Sequence, residues 1–216
     1  MRNKREICRG IQTKRERRKT KVISPAQVNV SVDLVSNILS NLKDPRRGVL
    51  FDFHHRWRTI LEQAKGSINS SFSWSGGYLA HIKDTFEIAQ RLYPVVSVSS
   101  NINLEEALIT LYFHDFERPV RYARTQRLLM PDDIESTELG ISSAGRQSFY
   151  SEVLRDLGIV LNERELYALR YFQKPDRAAA VKLFQGEALA GFCQMCDVSS
   201  HRKGESYLES RQILNC

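Results

Sequence analysis

His114 and Asp115 are adjacent, and both side-chain types bind divalent ions. The residues before them show why the pair matters. Leu104, Ala107, Leu108, Leu111 and Tyr112 recur at i, i+3, i+4, i+7 and i+8, the stripe of a helix face turned toward a core, and Asp115 is the next position on it. The spacing therefore predicts an acid that points inward. Burying an unpaired carboxylate is costly, so such a residue calls for a cation, a metal or a dense set of donors beside it. His114 offers a second ligand from the same turn.

The anomaly repeats. Leu189, Phe192, Cys193 and Cys196 follow the same spacing, and Asp197 is the i+8 member of their stripe. A third segment starts at Trp74-Ser75-Gly76-Gly77-Tyr78 and runs into a helix with Tyr78, Leu79, Ile82, Phe86, Ala89 and Tyr93 inward, which puts His81 at the edge of that face. His81, His114, Asp115 and Asp197, carried by three helices, make a nitrogen and oxygen ligand set for one divalent ion, with Mn, Fe, Co, Ni and Zn all compatible.

The elements that must position these residues read as helices throughout. Ser24-Pro25 opens one that carries Val28, Val32, Val35, Ile38, Leu39 and Leu42 and stops at Asp44-Pro45. Leu50, Phe53, His54, Trp57 and Leu61 outline the next, with His54 expected as a hydrogen-bonded core histidine. Lys65 to Gly77 is a polar loop rich in Gly and Ser. Val95 to Ser100 reads as a loop ahead of Asn103, which caps the His114 helix with Glu106 reaching back. Pro119 is expected to end that helix, and residues 124–147 read as a long loop or flap. Phe149, Val153, Leu154 and Leu157 form a helix closed by Gly158, and Asn162 with Glu165 caps another. The expected fold class is all-α, with a domain over 25–205 and a frayed polar tail over 206–216.

Charge is concentrated at one end. Residues 1–22 hold ten Lys or Arg against two Glu, while the rest of the chain carries 22 basic and 23 acidic residues. Residues 1–24 are accordingly expected to be a disordered basic arm capable of weak, salt-sensitive contact with nucleic acid, although it has no aromatic residue to stack on bases. No apolar run approaches the roughly 20 residues that span a bilayer, and no apolar stretch follows the first charges. A cytoplasmic protein without membrane contact is the expectation, with a homo-oligomer left open. The Cys193-Gln194-Met195-Cys196 pair lacks a second Cys or His pair, so buried thiols are preferred over a zinc or redox site.

A histidine, then an adjacent His-Asp pair, then a late Asp is the ligand order of the HD-domain metal-dependent phosphohydrolases, which this sequence resembles. More closely, Trp74-Ser75-Gly76-Gly77-Tyr78 with His81, His114-Asp115-Phe116-Glu117-Arg118-Pro119 and Cys193-Gln194-Met195-Cys196-Asp197 resemble a phage-associated HD hydrolase group. That group carries W-x-G-G-Y-x-x-H, HD-x-E-K/R-P and C-x-M-x-D signatures and is similar to phage HD triphosphohydrolases that remove dATP. The resemblance covers residues from about 50 to 200 and implies an HD-type helical bundle, one divalent ion and a nucleotide substrate, in the host cytoplasm if the gene is a phage's. One departure stands out. Many HD nucleotidases carry Glu three residues after the Asp of the pair, where this chain has Arg118; Glu117 is two residues after it, on another face of a continuous helix.

The resemblance implies hydrolysis of a deoxynucleoside mono- or triphosphate, with His81, His114, Asp115 and Asp197 as metal ligands. Asp115, Arg118 and Glu117 are then the candidate catalytic groups. Arg118, Arg121 and Lys65 are candidates for phosphate contacts and Trp74 for stacking on a base, each against a competing reading as solvated charge or loop packing. A phosphodiesterase for a cyclic or oligomeric nucleotide, and a nucleic-acid-binding protein with a silent core, are the alternatives. Deleting residues 1–22 is expected to weaken binding to DNA or RNA and flatten its salt dependence while leaving chemistry at the ligand set unchanged. Anisotropy titrations over a salt series check this; identical curves for the full and shortened chains would remove nucleic acid as a partner of the arm.

Overall fold

Seven consecutive residues of one helix, Ala107 to Phe113, are buried, which is the pattern of a helix surrounded by others rather than lying on a surface. The computed structural model describes residues 34–66, 71–98, 100–128, 149–171 and 188–213. The buried helix, Leu104–Phe113 (α5), is the centre of an all-α fold. In chain order the others are a helix over 34–40 (α1), Arg47–Arg56 (α2), Arg58–Gln63 (α3), Gly77–Val96 (α4) and, after α5, Glu117–Thr125 (α6). A π-helical turn Phe149–Val153 leads into Leu154–Asp156 (together α7), followed by Glu163–Tyr171 (α8) and Ala188–Ile213 (α9). No strand occurs among the described residues, and none of their helices is long and apolar enough to cross a membrane.

Helices α4, α8 and α9 pack around α5, and α4 also packs against α3 and α9. The first turns of α4, the end of α5 and the middle of α9 therefore meet. Their apolar stripes account for this: Tyr78, Leu79, Ile82, Phe86 and Ala89 from α4 and Leu189, Phe192, Cys193 and Cys196 from α9 are all buried. Among these, Cys193 and Cys196 are free thiols whose pKa burial pushes up, as expected of core cysteines.

Several boundaries differ from those the sequence suggests. The expected single helix from Leu50 to Leu61 is two, separated at Trp57, where ψ opens to about 1°. Helix α4 continues through Pro94 to Val96, where a loop was expected; the proline lies in its last turn, which ends two residues on. Pro119 does not end the His114 helix. Helix α5 stops at Phe113, residues 114–116 form a turn, and Pro119 sits in the first turn of α6, where a missing N–H leaves no bond unmade. The backbone of α9 stays helical to Ile213, past the expected fraying point. The basic arm, Val28 and Val32, and most of the expected flap lie outside the described residues.

The turn at 114–116 is braced from below by aromatic rings. Phe53 of α2 stacks on Trp57 at 5.4 Å and meets Phe113 at 5.7 Å and Phe116 at 5.3 Å, while Trp57 meets Phe116 at 5.1 Å. Each buried ring contributes about 1.5–3 kcal/mol, with about 0.5–1.5 kcal/mol more for a well-oriented pair. The carbonyls left over where α5 ends are satisfied by phenols: Tyr78 Oη donates to the Tyr112 carbonyl at 2.7 Å and Tyr150 Oη to the His114 carbonyl at 2.6 Å.

A charged tie holds the α1–α2 corner to α8. The Asn162–Glu165 capping box forms, with Asn162 N donating to Glu165 Oε2 at 2.8 Å and Glu165 N donating to Asn162 Oδ1 at 2.9 Å. Arg46 reaches both Glu165 oxygens, at 2.6 and 2.8 Å, and both Asp44 oxygens, at 2.8 and 2.7 Å. At Asn103 only half of the expected box is present. Its side chain accepts from Glu105 N at 2.8 Å, while Glu106 turns instead to Asn162 and Arg164, each at 3.0 Å.

The hydrogen bonds from Arg46 hold the Asp44 carboxyl below its ordinary pKa. A depressed folded value means that this stabilisation is complete above the unfolded carboxylate range, about pH 4, and is lost as pH falls through the folded value. Asp44→Asn is therefore expected to shrink the stability lost between pH 7 and pH 3, measured by denaturant unfolding at both. An unchanged difference would mean that this pair contributes nothing to acid unfolding.

Candidate metal centre

Three helices deliver the ligand-type residues for different backbone reasons. His81 lies one turn into α4, and the loop before it is drawn tight: Gly66 N donates to Phe72 O at 2.9 Å and Tyr78 N to Ala64 O at 3.2 Å. A Cβ on Gly77 would run into the Phe72 carbonyl, so the close approach needs glycine there. Phe72 itself holds a φ of 138°, a conformation that costs a residue other than glycine about 1–3 kcal/mol. That backbone sets its ring 5.0 Å from the ring of His81. His114 and Asp115 sit in the braced turn after α5, and Asp197 lies within α9, at the end of the stripe ending in Cys196.

The side chains converge. His81 Nε2 is 3.0 Å from His114 Nε2 and 3.2 Å from Asp197 Oδ1, and His114 Nε2 is 3.4 Å from Asp197 Oδ1 and 3.8 Å from Asp115 Oδ2. Ligands held at 2.0–2.2 Å by one ion lie about 3–4 Å from one another, the range seen here. The other ring nitrogens are occupied. His114 Nδ1 donates to the Leu111 carbonyl at 2.7 Å, and His81 Nδ1 is 3.0 Å from the buried Ser200 hydroxyl. Such outer partners fix ring orientation and leave Nε2 facing inward, the usual support for metal-binding histidines.

Asp197 Oδ1 is the deciding atom. It is buried and accepts no well-aligned hydrogen bond, although imidazole nitrogens face it. A buried, unsatisfied carboxylate oxygen ringed by nitrogen donors fits a cation between them better than it fits a hydrogen-bonded core. The electrostatics agree. Burial alone would raise the Asp197 pKa, but the close approach of the His114 and His81 imidazoles holds it well below the carboxylate range. Burial works to lower His114, yet Asp115 and Asp197 hold it up at about 9, whereas burial prevails at His81, whose pKa is lowered. The cluster attracts positive charge.

The remaining sequence candidates lie at graded distances. Arg118 Nε is 2.8 Å from Asp115 Oδ2, so this guanidinium borders the cluster as its i+3 position suggested. Glu117 is half-buried at the start of α6, and the break before it removes the helical phase that would have turned it away. The Trp74 ring is half-buried and packs 5.4 Å from Phe72, one ring removed from His81. Lys65 and Arg121 are exposed, and among the described residues neither forms a hydrogen bond or ion pair with the cluster. His54 is the core histidine expected, with Nδ1 2.9 Å from Tyr112 Oη and its pKa pushed down to about 4 by burial and nearby positive charge.

One member was missed. His201, four residues beyond Asp197 on the same face of α9, brings Nε2 to 3.5 Å from Asp197 Oδ1. Its i+4 spacing was available in the sequence, but it lies beyond the apolar stripe that drew attention to Asp197. Two groups of ligand atoms lie within 4.8 Å of one another, His81 with His114 and Asp115, and His81 with Asp197 and His201. Buried His and Asp residues here can hold a metal ion.

Comparisons with family models, with curated proteins and with solved structures gave no match. The chemistry of the cluster is therefore argued from its residues. A divalent ion such as Co²⁺ or Mn²⁺ at about 100 times its Kd is expected to stabilise the fold by about 2.7 kcal/mol, a rise of about 5–10 °C in Tm for a chain of this size. Chelator should reverse the rise, and Asp197→Ala should abolish it. Thermal scans that show no shift with any of the five metals would remove the metal centre.

Proposed function

We propose that this chain is a metal-dependent phosphohydrolase of HD type that acts on a nucleotide, most readily a deoxynucleoside mono- or triphosphate. The observation that carries this reading is the convergence of His81 from α4, His114 and Asp115 from the turn after α5, and Asp197 from α9, with His81 and His114 beside Asp197 Oδ1 and Asp115 beside His114, in the ligand order of that superfamily. The motifs around Trp74, His114 and Cys193 support the narrower likeness to phage-associated HD hydrolases that the sequence suggests.

His81, His114, Asp115 and Asp197 would hold one divalent ion, which when bound lowers the pKa of water and neutralises charge on phosphoryl oxygens. The protein's own groups supply the rest. Ser200 and the Leu111 carbonyl keep the two imidazoles turned so that Nε2 faces the cluster. Asp115 or Asp197 accepts a proton from the attacking water. Arg118 Nε lies 2.8 Å from Asp115 Oδ2 as an ion pair, and the side chain is about 30% exposed, which puts the guanidinium within reach of a non-bridging phosphate oxygen. This arrangement favours phosphate binding over proton transfer at position 118, since a guanidinium does not give up its proton near neutral pH.

Purified protein loaded with Mn²⁺ or Co²⁺ and screened against deoxy- and ribonucleotides, with phosphate, pyrophosphate and triphosphate read separately, tests the reading. Hydrolysis is expected, with the released group identifying the bond. Asp115→Ala should abolish turnover while circular dichroism stays helical, and Arg118→Ala should lower kcat/KM by about 10²-fold, as loss of a charge-stabilising donor does. Arg118→Lys should recover part of it. Turnover retained by carefully purified Asp115→Ala would mean that the metal reading is wrong or that a contaminant carries the activity, and wild-type kinetics in Arg118→Ala would leave phosphate binding to other residues.

A further inference from the structure

His201 has two independent marks of a built position. Its side chain is about 31% exposed, whereas His81 and His114 are buried, so it stands on the solvent side of the cluster. The loop of residues 71–76 is fastened to it. Ser71 Oγ donates to the His201 carbonyl at 2.9 Å, and the Phe72 ring, set by the strained backbone at that residue, packs 6.1 Å from the His201 ring and 5.0 Å from that of His81. The two imidazoles lie 4.8 Å apart with 37° between their planes.

We propose that His201 is a further metal ligand, an imidazole supplied from the open side of the centre to the same ion that Asp197 and His81 bind. This rests on the metal-centre reading above and adds a residue to it. Its Nε2 joins those of His81 and His114 around Asp197 Oδ1, and that oxygen takes no well-aligned hydrogen bond. An ordinary i,i+4 ion pair between His201 and Asp197 would place an N–H in line with the carboxylate, whereas a shared cation needs the nitrogen lone pair and the oxygen aimed at a common point beside both. At 3.5 Å the His201–Asp197 pair is longer than a well-made hydrogen bond and leaves room for an ion beside both atoms. Three imidazole nitrogens and two carboxylates would favour borderline ions such as Zn²⁺, Co²⁺ or Fe²⁺ over Mg²⁺, which prefers oxygen.

Exposure gives this ligand a distinct role. The buried members are fixed by their neighbours, whereas His201 is the one imidazole of the cluster with substantial contact to solvent. It would therefore be the ligand most open to replacement by an incoming phosphate oxygen.

The full chain, stripped with chelator and titrated with Co²⁺, tests the assignment through visible absorption, which reports coordination without any need for turnover. His201→Ala should weaken Co²⁺ binding by about 10-fold or more and change the position and intensity of the ligand-field bands, with added free imidazole restoring them. His201→Gln keeps a polar side chain that can still hydrogen-bond to Asp197, and it should fail like the alanine variant. His114→Ala serves as a ligand-loss control and should lose most of the affinity. Wild-type affinity and spectrum in His201→Ala, or full recovery in His201→Gln, would overturn the assignment and leave the metal reading intact. Absence of Co²⁺ binding by the wild-type chain would overturn both.

Discussion

Two carboxylates drawn toward a helical interior set the terms for the surrounding structure. Neither Asp115 nor Asp197 has the bulk solvent that would ordinarily stabilise its charge, and the protein answers with histidines, a bordering guanidinium and, on the proposed reading, an ion. Everything nearby can be understood as holding these groups at fixed separations. The Phe53, Trp57, Phe113 and Phe116 rings clamp the turn that carries the His-Asp pair, and two tyrosine hydroxyls take up the carbonyls that the same turn leaves unpaired. Strain at Phe72 is tolerated because its ring fills the space beside two imidazoles.

The parts of this arrangement that the sequence made legible are those governed by helical period. Stripes ending in Asp115 and Asp197 place both acids at the edge of a core, since a 3.6-residue repeat extends one position beyond its last apolar member. Paired caps such as Asn162 with Glu165 are equally readable, because both partners lie within one turn. What the sequence concealed depends on partners distant in the chain. Glu106 leaves the cap at Asn103 because Asn162 and Arg164 approach from another helix, and no local pattern announces them. Pro119 carries two local meanings, helix end and helix start, and the structure takes the second. His201 was hidden for a third reason: it is half-exposed and follows polar residues, so an apolar stripe could not reach it.

Arg118 fixes the kind of charge that borders the cluster. A glutamate at that place could exchange protons, but would add another carboxylate beside Asp115. The guanidinium found here instead pairs with Asp115 Oδ2 and supplies positive charge at the edge of the cluster. On the proposed reading, proton transfer then falls to a carboxylate already present, and the rim gains affinity for anions.

The clustered His and Asp residues come from α4, the turn after α5, and α9, and that separation in the chain bears on how the protein folds. Contacts between Asp197 and His81 close a long loop, and the entropic cost of that closure opposes their early formation. Cations bound at such a junction would act as a non-covalent cross-link. They would do little to hasten refolding, yet would slow opening of the native state, because α4, α5 and α9 could not part without first giving up a shared point of attachment.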